Sequence, residues 1–143
     1  MKKLAVGLTI VGLVAIAAFY QNASASDRNA KQIARGEYLV KGLAGCGDCH
    51  TPMNEKGEPV MDEWLHGTKL FFGPLVPIPN WASSSVNIAG LPGWDEKKAV
   101  ELLMTGLSPN GQPPRPPMPR YRMNKEDAEA VVAYLKSLPA PKQ

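Results

Sequence analysis

The sequence predicts an all-α domain with extended loops, on three observations. Three stretches repeat apolar residues at helical spacing, no useful run alternates with period two, and no segment repeats internally. Between those stretches lie most of the 14 prolines and 13 glycines, a composition that is loop-rich yet still globular.

Taken in order, the N-terminus reads as an export leader. Lys2 and Lys3 precede an apolar run from Leu4 to Tyr20 whose only clearly polar residue is Thr9, and Ala23-Ser24-Ala25 supplies the small-x-small pattern of a cleavage site. Residues 1–25 are therefore expected to be a signal peptide, with residues 26–143 as the folded domain. An uncleaved anchor competes with this reading, because the run sits between a long signal core and a short membrane span. Either way the domain faces the periplasm or the outer side of the cytoplasmic membrane. No cysteine stands at the cleavage position, so a lipoprotein is not indicated.

The first helix is expected from about Arg28 to Leu43, capped by Asp27 and carrying Ala30, Ile33, Ala34 and Tyr38 on one face. From Thr51 to Pro92 no period persists, and repeated prolines block helix and ladder bonding. A loop of that length needs something to wrap, and a large flat ligand would serve. Asp95 can cap a second helix with Val100, Leu103, Met104 and Leu107 on its stripe and Gly106 at its end. Asn124, with Asp127 three residues on, caps a third, whose stripe of Ala128, Val131, Val132, Leu135 and Leu138 stops at Pro139.

The chemistry lies in Cys46-Gly47-Asp48-Cys49-His50. A C-x-x-C-H run lets two thiols add to the two vinyl groups of a haem while the following histidine reaches the iron from the same turn. Export agrees with that use. A thioredoxin-like redox pair would need a strand leading into the motif within a βαβ frame, and none is apparent. A zinc site recruiting His66 is disfavoured, because Cys49 and His50 are adjacent and no second C-x-x-C exists.

On these residues the chain resembles a monohaem class I cytochrome c, of the bacterial type that accompanies periplasmic or membrane dehydrogenases. Arg35-Gly36-Glu37-Tyr38-Leu39 precedes the haem motif as in that family, and Tyr134-Leu135 matches the pair on its last helix, expected to cross the first near Gly36. The resemblance spans residues 35–138. It implies a small cytochrome c fold, with about three main helices and long loops around one covalent haem c, and Cys46, Cys49, His50 and Met118 as cofactor-binding residues. In the family the sixth iron ligand is a methionine followed by proline and then an aromatic, and Met118-Pro119-Arg120-Tyr121 fits that pattern. The long proline-rich stretch after the motif departs from it.

Other residues compete for the ligand role. Met53 lies too close to His50 in sequence, and Met104 fits the stripe of the second helix. Met123 precedes a helix cap, where a hydrophobic staple is the ordinary explanation, and Met61 lies in unpatterned loop; both stay open, as does His66. Met118 is set among six prolines from Pro109 to Pro119, which stiffen its loop. Trp64, Trp81 and Trp94 are expected in the haem pocket or the core.

The formal charge of +3 loses Lys2 and Lys3 with the leader and falls to +1, which offers no basis for nucleic-acid binding. Locally the pattern is one-sided: no acid lies between Glu101 and Glu126, where Arg115, Arg120, Arg122 and Lys125 fall. The expected function is electron transfer through His/Met-ligated haem, between a dehydrogenase donor and a cytochrome or oxidase acceptor, with no enzymatic step. The runner-up is a haem gas sensor or peroxidase-like protein with an open sixth position. Partners are redox proteins, with membrane association arising only if the N-terminal segment is retained.

Overall fold

The computed structural model describes residues 25–141. The expected leader therefore lies outside the described residues, except for Ala25. Among the described residues no helix is long and apolar enough to cross a membrane. The only β pairing described is a pair of isolated bridges, Met53 with Pro59 and Lys69 with Ser84.

The chain divides after Lys31. In the first unit, residues 25–31 are helical, and Asp27 lies inside the helix rather than capping it. Its carboxylate pairs instead with Lys31, one turn on, at 2.9 Å. The cap expectation thus fails because the helix already runs from residue 25.

The second unit carries the core. Helix α1, residues 32–38 of this unit, opens into a π-helical turn over Leu39–Leu43, which Ala44 closes by donating its N–H to the Leu39 carbonyl at 2.8 Å. Gly45, at φ 58°, turns the chain into the short helix α2, Cys46–His50. Left-handed backbone of this kind favours glycine, which has no Cβ to clash.

Helix α3, Glu96–Thr105, begins where Asp95 accepts the Lys98 N–H and ends at Gly106, φ 66°, as the sequence leads one to expect. Helix α4, Lys125–Ser137, begins where the Asn124 side chain accepts the Asp127 N–H at 2.8 Å and stops just before Leu138 and Pro139.

Helices α3 and α4 pack on one another, and α4 also meets the π turn. The α4 stripe is buried as its periodicity predicts, with Ala128, Val131, Val132 and Leu135 inside and Leu138 against the edge. On α3 the buried face is rotated: Ala99 and Leu103 lie deepest, while Val100 and Met104 pack at the margin. Each fully buried aliphatic side chain contributes about 2 kcal/mol.

At Gly36, α1 crosses α4 as expected. A Cβ there would fall on the Ala130 carbonyl and come within 2.7 Å of the Tyr134 Cβ. Arg35 Nε donates to Asp127 at 2.9 Å and ties α1 to the first turn of α4.

The stretch from Thr51 to Trp94 is loop apart from one 3-10 turn, Met61–Glu63. Side chains and backbone turns hold it rather than a ladder. Thr51 is fully buried, and its hydroxyl accepts the Leu65 N–H at 3.1 Å. Leu65 is itself fully buried at φ 63°, and its carbonyl accepts from Ile88 and Ala89. Further on, residues 67–70 run back against 83–87, with Ser85 donating to the Thr68 carbonyl at 2.8 Å and Leu70 to that of Ser83 at 2.9 Å.

Candidate cofactor site

Between the helices and the loops lies a cavity of about 660 Å³, and Cys46, Cys49, His50 and Met118 all line it. Its size suits a cofactor rather than a water or an ion. Leu103 of α3 and Val131 and Leu135 of α4 form part of an apolar wall.

The motif is held from several directions. Within it Gly47 is dictated by tertiary packing, because a Cβ there would come 2.5 Å from Cζ3 of Trp64. That indole is fixed in turn: its Nε1 donates to the Tyr134 hydroxyl at 3.1 Å, and the Lys41 ammonium sits 5.9 Å from the ring centroid.

His50 Nδ1 lies 2.8 Å from the Val86 carbonyl oxygen. A carbonyl can only accept, so Nδ1 carries the hydrogen and Nε2 keeps a free lone pair. Burial pushes the His50 pKa down, against the opposing pull of the Val86 hydrogen bond. The ring is thus held neutral, the state in which imidazole binds a metal. Val86 can approach because position 67 is glycine, at φ 83°: a Cβ there would lie 2.6 Å from the Val86 carbonyl carbon. The His50 carbonyl accepts the Gly67 N–H at 2.7 Å, so side chain and backbone of His50 hold the same crossing.

Burial pushes the Cys46 thiol up to about 11 and raises Cys49 in the same direction. As free thiols both are protonated near neutrality and are poor nucleophiles.

Met118 reaches the cavity on the proline-rich loop, which is tied down at three points. Arg115 donates from Nε to the Asn80 carbonyl at 3.0 Å and from a terminal nitrogen to that of Trp81 at 2.9 Å. Ala82 donates its N–H to the Pro116 carbonyl at 2.6 Å. The Tyr121 hydroxyl donates to the Ala44 carbonyl at 2.7 Å, joining the methionine loop to the turn before Cys46. Burial raises the Tyr121 pKa, so the phenol remains a donor.

The competing residues fall elsewhere. Among the described residues no other methionine lines the cavity, nor does His66. Met123 packs against the core, and Met61 is exposed. Among the described residues no three His, Cys, Asp or Glu side chains gather as a metal cage. Of the tryptophans, Trp94 lines the cavity and Trp64 packs against the core.

Sequence reasoning did not find Val86, Gly67 or the Tyr121 tie. Val86 acts through its carbonyl, which any residue would supply. Gly67 and Tyr121 carried a weak signal at most: a glycine after a histidine, and an aromatic near the methionine.

Haem fits this donor set and cavity: two thiols, a neutral imidazole and a thioether face an apolar space of cofactor size. Trp81 Nε1 is buried with no hydrogen-bond partner among the described residues, but Trp81 does not line the cavity.

Comparison with known proteins agrees with the geometry. The sequence model of the family "Cytochrome c" matches residues 33–139. The chain is 34% identical over 115 residues to a diheme cytochrome c-type protein of Cereibacter sphaeroides, covering 74% of this chain and 35% of that one. It is 32% identical over 117 residues to the cytochrome c subunit of the quinone alcohol dehydrogenase of Gluconobacter oxydans, covering 76% and 24%. It is also 32% identical over 120 residues to the gluconate 2-dehydrogenase cytochrome c subunit of Pantoea cypripedii, covering 76% and 26%. The chain thus spans between about a quarter and a third of the length of these relatives. With a family match over most of the described residues, and these relatives beside it, the chain belongs to the cytochrome c family.

Proposed function

We propose that the protein is an exported one-electron carrier that would hold a single haem c through Cys46 and Cys49, with His50 and Met118 as the iron ligands. The observation that carries this reading is the meeting of Cys46, Cys49, His50 and Met118 on one cavity that no other described methionine lines. A single C-x-x-C-H motif in the sequence supports a single haem.

Bound haem supplies an Fe(III)/Fe(II) couple, and the chain's own residues set the conditions under which it works. Val86 fixes the His50 tautomer and orients its ring. The ties from Arg115, Ala82 and Tyr121 keep the Met118 loop from drifting, so a weak thioether can stay in place in both redox states. Apolar walls limit water and with it the reorganisation that accompanies electron gain.

The redox partners are a dehydrogenase on the donor side and a cytochrome or oxidase on the acceptor side, in the periplasm or at the outer face of the cytoplasmic membrane. The relatives named as dehydrogenase cytochrome subunits support the donor assignment. Arg115, Arg120 and Arg122 are exposed, and their guanidinium groups rest on backbone carbonyls rather than carboxylates. Lys125 instead lies 3.6 Å from Glu129. The three arginines would steer an acidic partner, and electron-transfer rate should fall with ionic strength.

Visible spectra of oxidised and reduced protein test the ligation. A low-spin spectrum with a sharp reduced α band, and slow carbon monoxide binding that becomes fast in Met118→Ala, is the expected result. A high-spin spectrum with fast binding in the unmodified protein would favour the gas-sensor or peroxidase-like reading.

A further inference from the structure

The loop from Phe71 to Pro79 reads Phe-Phe-Gly-Pro-Leu-Val-Pro-Ile-Pro and contains no side chain able to hydrogen-bond. Its base is closed by the bridge between Lys69 and Ser84 and by the Leu70 N–H on the Ser83 carbonyl. From that base it projects outward. Leu75 is 104% exposed, Phe71 72% and Val76 67%, while Phe72 and Ile78 are about two-fifths exposed. Leu70 and Ala82 at the base line the cavity but nothing from Phe71 to Trp81 does, so filling the cavity would leave the tip uncovered.

Phe71 meets Phe72 edge to face at 5.3 Å, and Phe72 meets Trp81 at 6.1 Å. Exposed apolar side chains in such density mark an interaction surface. Two features identify the occupant. A specific protein interface carries roughly one hydrogen bond per 100–200 Å², and this tip offers no polar side chain to make one. Three of its nine residues are prolines, which lack the N–H that would be stranded in hydrocarbon.

The surroundings add charge complementarity. No charged residue occurs from Leu70 to Trp94, but Lys69 stands at the base, and Arg115 is bonded to the Asn80 and Trp81 carbonyls at its rear. Arg120 and Arg122, farther along the chain, lie against the end of α3 at Gly106 and are not part of this surface. An apolar tip with the cations Lys69 and Arg115 at its base matches hydrocarbon beneath anionic headgroups. The same two cations disfavour two copies meeting tip to tip.

We propose that residues 71–78 dip into an anionic lipid surface and hold the base of the loop, where Leu70 and Ala82 meet the cavity, toward the membrane. This does not depend on the haem ligation, which the spectrum of the same sample reports separately.

The test is a spin label on Leu75→Cys, with Glu55→Cys as a control on an exposed turn, in the full haem-loaded chain. Phosphatidylglycerol vesicles should lower the access of a water-soluble nickel chelate to the Leu75 site at least about threefold while raising oxygen access, and should leave the Glu55 site unchanged. Phosphatidylcholine vesicles should give a smaller effect, and Phe71→Ser in the labelled chain should weaken it. Because the readout is depth at one residue, a retained N-terminal segment cannot imitate it. Unchanged nickel access at Leu75 overturns the proposal and points to a protein groove as the occupant. Equal shielding at both sites overturns it as well.

Discussion

Helices α3 and α4 and the loop from Thr51 to Trp94 wall the same cavity by different means. In the helices the backbone satisfies itself, and only the apolar stripe must find a partner. The loop has no such internal ladder. Its backbone closes through long-range links: Thr51 to Leu65, Leu65 to Ile88 and Ala89, His50 to Gly67 and Val86. The helical half can therefore exist in part without the cofactor, whereas the loop half has order only when its distant ends are held together. Cofactor attachment at Cys46 and Cys49 sits where the two halves join.

The largest expected effect removes that junction. Cys46→Ala with Cys49→Ala, made without haem, leaves four helices and a long loop around an empty apolar space, and ordering a backbone costs roughly 1–2 kcal/mol per residue. Circular dichroism should show some residual helix, with no cooperative thermal transition. A sharp native-like transition would mean that the loop half is stable by itself and would erase the contrast.

Two glycines then compare the halves within the haem-loaded protein. Gly36 sits where α1 meets the Ala130 carbonyl, and Gly67 where the loop meets the backbone at Val86 and Asn87. In each case a methyl group would collide with backbone that cannot rotate away. Gly36→Ala and Gly67→Ala should each cost about 3 kcal/mol in denaturant unfolding. They should differ in the visible spectrum: Gly67→Ala pulls the Val86 carbonyl from His50 and perturbs it, whereas Gly36→Ala leaves it unchanged. Identical spectra would show that the loop crossing does not set the His50 environment.

A smaller effect is expected at the link between the methionine loop and the turn before Cys46. Tyr121→Phe keeps the ring and deletes the hydroxyl that bonds Ala44, at a cost of about 1 kcal/mol. Carbon monoxide should bind the reduced variant faster than the parent, because the Met118 loop yields more readily. An unchanged rate would assign the loop's stiffness to its prolines and to Arg115.

How much of this was legible follows the same division. Asp95, Gly106 and Asn124 announced their helix ends because capping is local, and Gly36 and Tyr134 were read correctly as a crossing. The cysteines and His50 were legible because the motif packs its chemistry into five residues. Asp27 misled because a good capping residue can equally pair with a lysine one turn on. The rotation of α3 toward Ala99 and Leu103 was set by α4 and the cavity, which local periodicity does not encode. Val86 was invisible for a stronger reason: its contribution is a carbonyl brought across 36 positions by a glycine.

The smallest effect tests whether charge adds to the helical half. The Arg35 guanidinium beside Asp127 holds that carboxyl below its usual range, and Asn124 adds a second hydrogen bond. The partner group moves oppositely, with Arg35 raised by the same bond. A carboxylate whose folded pKa is depressed adds stability that is fully present above its unfolded value of about 3.9, and that stability is lost as pH falls through the folded value. The raised Arg35 value would matter only at alkaline pH beyond the ordinary guanidinium range. Stability of the parent should therefore decline more steeply below about pH 4 than that of Asp127→Asn, while near pH 7 the variant loses only the modest contribution of a solvent-screened pair. The Asn124 cap survives in that variant, because it is the Asp127 N–H that Asn124 accepts. A matching acid limb in the two proteins would leave the α1–α4 crossing dependent on Gly36 and apolar packing alone.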